Sequence, residues 1–483
     1  MKQKFRFIAI GVVTFLTIQA IAQSNNILKN CWERQVEPLK NNYLKFYYSE
    51  KIKESEHSFK PWQQTGYDST GIVWCNADNF LKSDPITFRD KKYNSKTQLI
   101  KSTLLFLDYG DTELFALTQK RPQEQTFNTI RYSPVNIINY LFQHKVSANN
   151  ESNNDFATDK IKINKALVKL YINKSDNLLS KTTVLSYDEL LGDVLSTLSY
   201  NDYSIINNLS YPKNIQIDKI NGEVKISIAA DIIKEIPPPL DQRTDYKLKE
   251  DTEVSPEIKI KKYSDNIHFI ELKHTDDRFI VVQFGDFLLV AEAPLNSKNG
   301  ELIISESKKI VPNKSIKYFV FGHYHPHYLR GVRPFIHKAV KIRCSKANQE
   351  YVTYLANALH TLSSDSLHIQ PKPLLIKEIK YSLTIKDGKF EMQIFFIGEK
   401  SGHTNDYLIY YFPAEKLLFE DDLAWIAREG EIKKASERQA GLYNAFIELD
   451  LIIDTIVQSW PVADYGVKTV IPFADLEKSM NIK

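Results

Sequence analysis

From residue 160 onward the chain is a succession of short apolar runs broken by polar turn clusters. Between 160 and 233 the runs ALVKLYI, TTVLSY, NIQIDKI and EVKISIAADII alternate apolar with polar positions and are divided by NKSDN and NGE. A period of two between turn residues predicts an antiparallel meander. Ahead of it, SPVNIINYLFQHKV (133–146) spaces its apolar residues three and four apart. With Ser133 at the N-cap and Pro134 at the first helical position, this segment predicts a helix. NNESNND (149–155) reads as a polar loop.

In IPPPLDQRTDYKLKEDTEVSPE (236–257) prolines and charges coincide with a loss of periodicity, the pattern of a linker. Strand-like runs resume beyond it as IHFIEL (267–272), RFIVVQF (278–284) and FLLVAEA (287–293). A charged, helix-compatible stretch then leads to IKYFVF (316–321), a short apolar run of the kind a buried strand makes. Further on, YLIYYF and KLLFE flank PAEK as a hairpin, which sets Asp421 and Asp422 at a strand end.

The pattern fits a chain of 483 residues with 43% hydrophobic and 12% aromatic content, enough for two domains and too apolar for disorder. A formal charge of +4 builds no field for nucleic-acid binding, so no nucleic-acid partner is expected. The first residues carry Lys2, Lys4 and Arg6, an apolar run from Phe7 to Ile18, and Ala20 and Ala22 spaced for cleavage. These predict a signal peptide over 1–22 and a secreted or periplasmic product with no integral membrane segment after cleavage. Its removal lowers the formal charge from +4 to +1. Three cysteines make no disulfide scaffold, although Cys31 and Cys75 either pair across the first domain or remain buried thiols, as Cys344 does.

The candidate chemistry gathers in the second half. GHYHPHYLRG (322–331) holds three of the 11 histidines at the end of a strand-like run. In an extended segment His323, His325 and His327 share a face and converge on one point. Neutral imidazole is a preferred zinc ligand, and His403, ahead of the hairpin, is the natural further donor. The alternative for Asp422 is a strand-end carboxylate capping a helix over AWIAREGEI. His57 and His144 stand isolated, while His268, His274, His337, His360 and His368 read as structural. Arg333 reads as a brace between a helix and its loop, and Asp108, Asp111 and Glu113 as a solvated turn.

In these residues the second half resembles the metallo-β-lactamase superfamily, over about 258–483. That resemblance implies an α+β chain in which a four-layer αββα sandwich (258–483) follows a β-rich N-terminal domain (23–235) and a linker (236–257). The strand rhythm of the first domain is similar to the curved half-barrels of lipoprotein-carrier-like domains. Matched to the family motif, His323 and His325 take the leading histidines, His403 the lone later one, Asp422 the metal-bridging aspartate and Gly331 the motif glycine. Glu292 falls where many members carry an aspartate. His327 replaces the motif aspartate, Tyr328 its second histidine, and no histidine follows His403. All three losses fall on the second metal site, so the resemblance implies one zinc on His323, His325 and His403, with Asp422 binding the metal or orienting water. His327 or Tyr328 is then the general acid or oxyanion donor. The expected function is zinc-dependent hydrolysis of a small ester, lactone, amide or related molecule. The alternative is a catalytically inactive binding or scaffold protein on the same fold.

Overall fold

A computed structural model describes residues 27–55, 57–88, 91–100, 104–108, 112–116, 131–163, 166–220, 224–235, 256–460 and 465–482. The expected signal peptide, Asp111 and nearly all of the expected linker lie outside the described residues. The chain divides into two compact units. The second comprises Val254–Lys483 together with two excursions from the first half, Ser55–Gln64 and Tyr187–Asp193. Sequence patterning assigned both excursions to the N-terminal domain, because a loop between two strands carries no mark of the core it joins.

The first unit is built on a sheet of fourteen strands among the described residues, in which Leu44–Glu54 pairs antiparallel with both Thr65–Cys75 and Val224–Glu235. The expected meander forms as Ala166–Asn173, Leu179–Asp188, Gly192–Ile206, Leu209–Lys219 and Val224–Glu235. Ala166–Asn173 buries every second residue, as a half-buried strand must. The predicted helix runs Pro134–Gln143 with Ser133 as N-cap. Its Val135, Ile138 and Leu141 pack in one core with Phe46, Val168, Leu170 and Tyr211. Leu104–Asp108 and Thr112–Ala116 pair as two strands, so the acidic stretch that reads as a turn belongs to a hairpin. Cys31 and Cys75 are both buried and free, and the disulfide between them does not form.

The second unit stacks four layers, and alternation along single strands shows why. In Asp277–Gln283, Ile280 and Val282 enter one core while Phe279 and Val281 enter another. Leu289 and Ala291 divide from Leu288 and Val290 in the same way. Strands apolar on both faces must be covered on both. The seven-stranded sheet, from Ile258–Lys262 to Ile376–Glu378, faces the six-stranded sheet, from Ser382–Asp387 to Val470–Pro472, across a shared core. Phe269, Ile280 and Val320 meet Met392, Tyr410, Phe412 and Phe419 there. Helices Ser297–Ile310, Val332–His337 and Gln349–Asn357 cover the outer face of the first sheet through Ile303, Phe335 and Val352. Glu437–Glu448 and Phe473–Met480 cover the second through Leu442, Phe446 and Leu476. The result is an αββα sandwich within an α+β, sheet-rich chain. No helix among the described residues is long and apolar enough to cross a membrane.

Candidate metal centre

Ser315–Val320 runs parallel to Phe287–Ala291 as a central strand of the first sheet, and the chain leaves it through Gly322 into His323. Gly322 is needed here because a Cβ would sit 2.2 Å from Asp421 Oδ2. Its N–H donates to Glu292 Oε1 at 3.0 Å, and its carbonyl accepts from Leu408 N at 2.7 Å. These bonds fasten the histidine loop to Glu292 on one sheet and to the strand Leu408–Phe412 on the other.

His323, His325 and His403 each offer a ligand atom, and the three atoms lie within 4.8 Å of one another. His323 and His325 are buried, and His323 Nε2 is 3.0 Å from His325 Nδ1. The outward nitrogens are taken: His323 Nδ1 lies 2.7 Å from Asp421 Oδ2, and His325 Nε2 donates to the Ser58 carbonyl at 3.1 Å. A carbonyl only accepts, so the proton of neutral His325 is on Nε2 and its inward Nδ1 carries a lone pair. His403 Nε2 is buried without a hydrogen-bond partner. Burial, followed by the neighbouring imidazoles, pushes His323 well down and His325 down to about 3, so both are neutral. Neutral imidazoles with inward lone pairs, and with outer nitrogens oriented by a carboxylate and a carbonyl, are a donor set that fits a divalent metal ion.

The carboxylates behind the histidines are strongly differentiated. Burial drives Glu292 up to about 8, although Tyr410 and Asp421 hydrogen-bond to it, and burial together with Glu292 drives Asp421 up as well. Burial would also raise Asp422, but its contacts with His403 and with the Arg438 guanidinium hold that carboxyl below the usual carboxylate range. Asp422 Oδ2 is 3.4 Å from His403 Nε2 and 3.2 Å from the Arg438 guanidinium, and Oδ1 accepts from the Tyr407 hydroxyl at 3.2 Å. The Tyr407 ring stacks on His323 at 4.8 Å. A cavity of about 490 Å³ opens beside them, lined by Gly402, Trp425, Ser436, Glu437, Arg438 and Gln439.

His327 does not join the other histidines. His325 is the N-cap and Pro326 the first residue of a short helix, Pro326–Leu329, which ends the extended segment that convergence required. His327 Nδ1 faces Asp277 at 3.4 Å, and its ring meets Trp460 at 4.5 Å. Tyr328 packs its ring 4.5 Å from His323, with its hydroxyl buried and without a hydrogen-bond partner. Gly331 approaches the backbone of Gly300 too closely for a Cβ at Gly300, and so joins the motif loop to the helix Ser297–Ile310. The chain after Asp422 is not a helix: Leu423 and Ala424 donate their N–H groups to Glu420, and 423–435 stays irregular. Arg333 braces its helix by pairing with Asp365 at 2.6 Å and donating to the Leu355 carbonyl. Sequence reasoning missed Ser58, Asp421 as the partner of His323, Tyr407 and Arg438. Only Asp421 had a sequence signal, its place at the strand end.

No protein-family model matches the chain, and no curated protein matches it. Solved structures similar to it include a metallo-β-lactamase from Pontibacter korlensis, 14% identical, covering 46% of this chain and 97% of that one with a TM-score of 0.34. The DIM-1 metallo-β-lactamase is 16% identical and covers 47% of this chain and 96% of its own at a TM-score of 0.33. TMB-1 is 13% identical, with shares of 47% and 96% and a TM-score of 0.34. The four-layer architecture rests on the sheets and cores above, not on these scores.

Proposed function

We propose that the second unit is a metal-dependent hydrolase in which His323, His325 and His403 hold one zinc ion. The observation that carries this reading is the donor set: convergent imidazole nitrogens within 4.8 Å, with the buried Nε2 of His403 facing the Asp422 carboxylate at 3.4 Å. Bound there, zinc supplies Lewis acidity and a more acidic water. Asp421 and the Ser58 carbonyl fix the ring orientations of His323 and His325. Asp422, ionised and steadied by Arg438 and Tyr407, orients water beside His403 or completes the ligand set. Tyr328 is the better placed of the two expected donors, because its buried hydroxyl has no competing bond whereas His327 is engaged by Asp277.

The substrate class is a small ester, lactone, amide or related molecule, and the cavity of about 490 Å³ falls in the size range of small-molecule sites. Export through residues 1–22 to a secreted or periplasmic location belongs to the same proposal, as does the absence of a nucleic-acid partner. Elemental analysis of the purified chain, followed by a panel of lactone, aryl ester, amide and β-lactam substrates, tests it. Hydrolysis that His403→Ala abolishes supports the reading. Stoichiometric metal without turnover supports the binding-protein alternative instead.

A further inference from the structure

Ser55–Gln64 connects two adjacent antiparallel strands of the first unit, Leu44–Glu54 and Thr65–Cys75, yet it packs within the second unit. Glu54 and Thr65 are already paired, so two residues would close this hairpin, and the chain spends ten. The extra residues reach the metal centre. The Ser58 carbonyl accepts from His325 Nε2 at 3.1 Å and from the Tyr324 hydroxyl at 2.6 Å. The carbonyl of Phe59 accepts from Asn405 N at 2.9 Å, two residues beyond His403. Trp62 is edge-on to Tyr351 and Tyr354, both at 4.9 Å, and the His57 ring lies 4.9 Å from that of His325. His57 and Trp62 both take left-handed backbone conformations, with φ of 57° and 63°. Side chains avoid that region unless their surroundings hold them in it. The loop is thus pinned at several points, and one of them is the outer nitrogen of a candidate ligand.

We propose that the loop 55–64 is a working part of the metal site, with the Ser58 carbonyl as the positioning group that fixes the tautomer and orientation of His325. This inference rests on the proposed metal centre. By it, the N-terminal half of the chain completes a site whose ligands all lie in the C-terminal half. Loss of such an outer partner lowers metal affinity by roughly 10–100-fold. His57, exposed and with its ring 4.9 Å from that of His325, is carried by the same loop.

The test uses the full chain loaded with cobalt(II), read by its visible absorption and by competition with a chelator. In one variant Asn-Gly replaces residues 55–64. In another, Tyr324→Phe removes one hydrogen bond to Ser58 and leaves the chain length intact. A third, Trp62→Ala, removes the aromatic anchor, with Trp62→Phe as the conservative rescue. The expected result is roughly 10–100-fold weaker cobalt binding and an altered absorption band in the shortened chain. Tyr324→Phe and Trp62→Ala should shift both in the same direction by less, Trp62→Phe should recover them, and the thermal transition of Tyr324→Phe should be near wild type. Because the point variants keep the loop, misfolding of the shortened chain does not decide the outcome. Wild-type affinity and spectrum in folded variants would overturn this inference alone. A wild-type chain that takes up no cobalt would overturn the metal centre and this inference with it.

Discussion

At Gly322 a single hydrogen in place of a side chain lets Asp421 reach His323. A methyl group there would lie 2.2 Å from the Asp421 carboxylate, which is itself fully buried. Gly322→Ala should therefore cost about 1–3 kcal/mol of stability through overpacking. It should also weaken metal binding, because Asp421 can no longer hold the His323 ring. Asp421→Asn separates these effects: it keeps the volume and loses the carboxylate, so metal affinity should fall roughly 10–100-fold with a small change in melting temperature. Chelator competition and a melt on the two variants check both statements. An unchanged affinity in Asp421→Asn would remove Asp421 from the site.

The elements of the second unit were legible where a short run is apolar throughout, as in Phe287–Ala291 and Leu408–Phe412, because both faces of such a strand meet a core. Pro326, as a first helical residue, converts the HxHxH face into an N-cap followed by a turn and sends His327 to Asp277. AWIAREGEI does not form a helix: 423–435 is irregular, and Ala427 forms a bridge with Val467 instead of a helical turn. The helix Val332–His337 is braced by an ion pair. Arg333 is buried and joined to the Asp365 carboxylate at 2.6 Å, so truncating Arg333 leaves that carboxylate without its cation, at a cost of about 3 kcal/mol. Burial alone would raise the Asp365 carboxyl, but Arg333 and the His368 N–H bring it from 3.8 down to about 2. This contribution is complete above the ordinary value and is lost as pH falls through about 2. Urea unfolding of wild type and Asp365→Asn across that range should converge at the acid end, and parallel curves would contradict it.

For the whole molecule, sequence patterning separated a meander-rich first half from a layered second half. It did not reveal that Ser55–Gln64 and Tyr187–Asp193 leave the first unit to pack in the second, since such partnerships exist only in three dimensions. The first unit coheres without a disulfide: Cys31 and Cys75 are buried free thiols that burial pushes up to about 12 and about 11. The intact protein should be inert to thiol reagents and should release three thiols per chain on denaturation, whereas release of one would establish the Cys31–Cys75 bridge. The central claim concerns the three histidines, and the most direct measurement is the metal content of the purified full-length chain and of His403→Ala after dialysis against a weak chelator. The structure predicts about one ion per wild-type chain and almost none in the variant. A wild-type chain that retains no metal, or a variant that retains as much as wild type, would contradict the account.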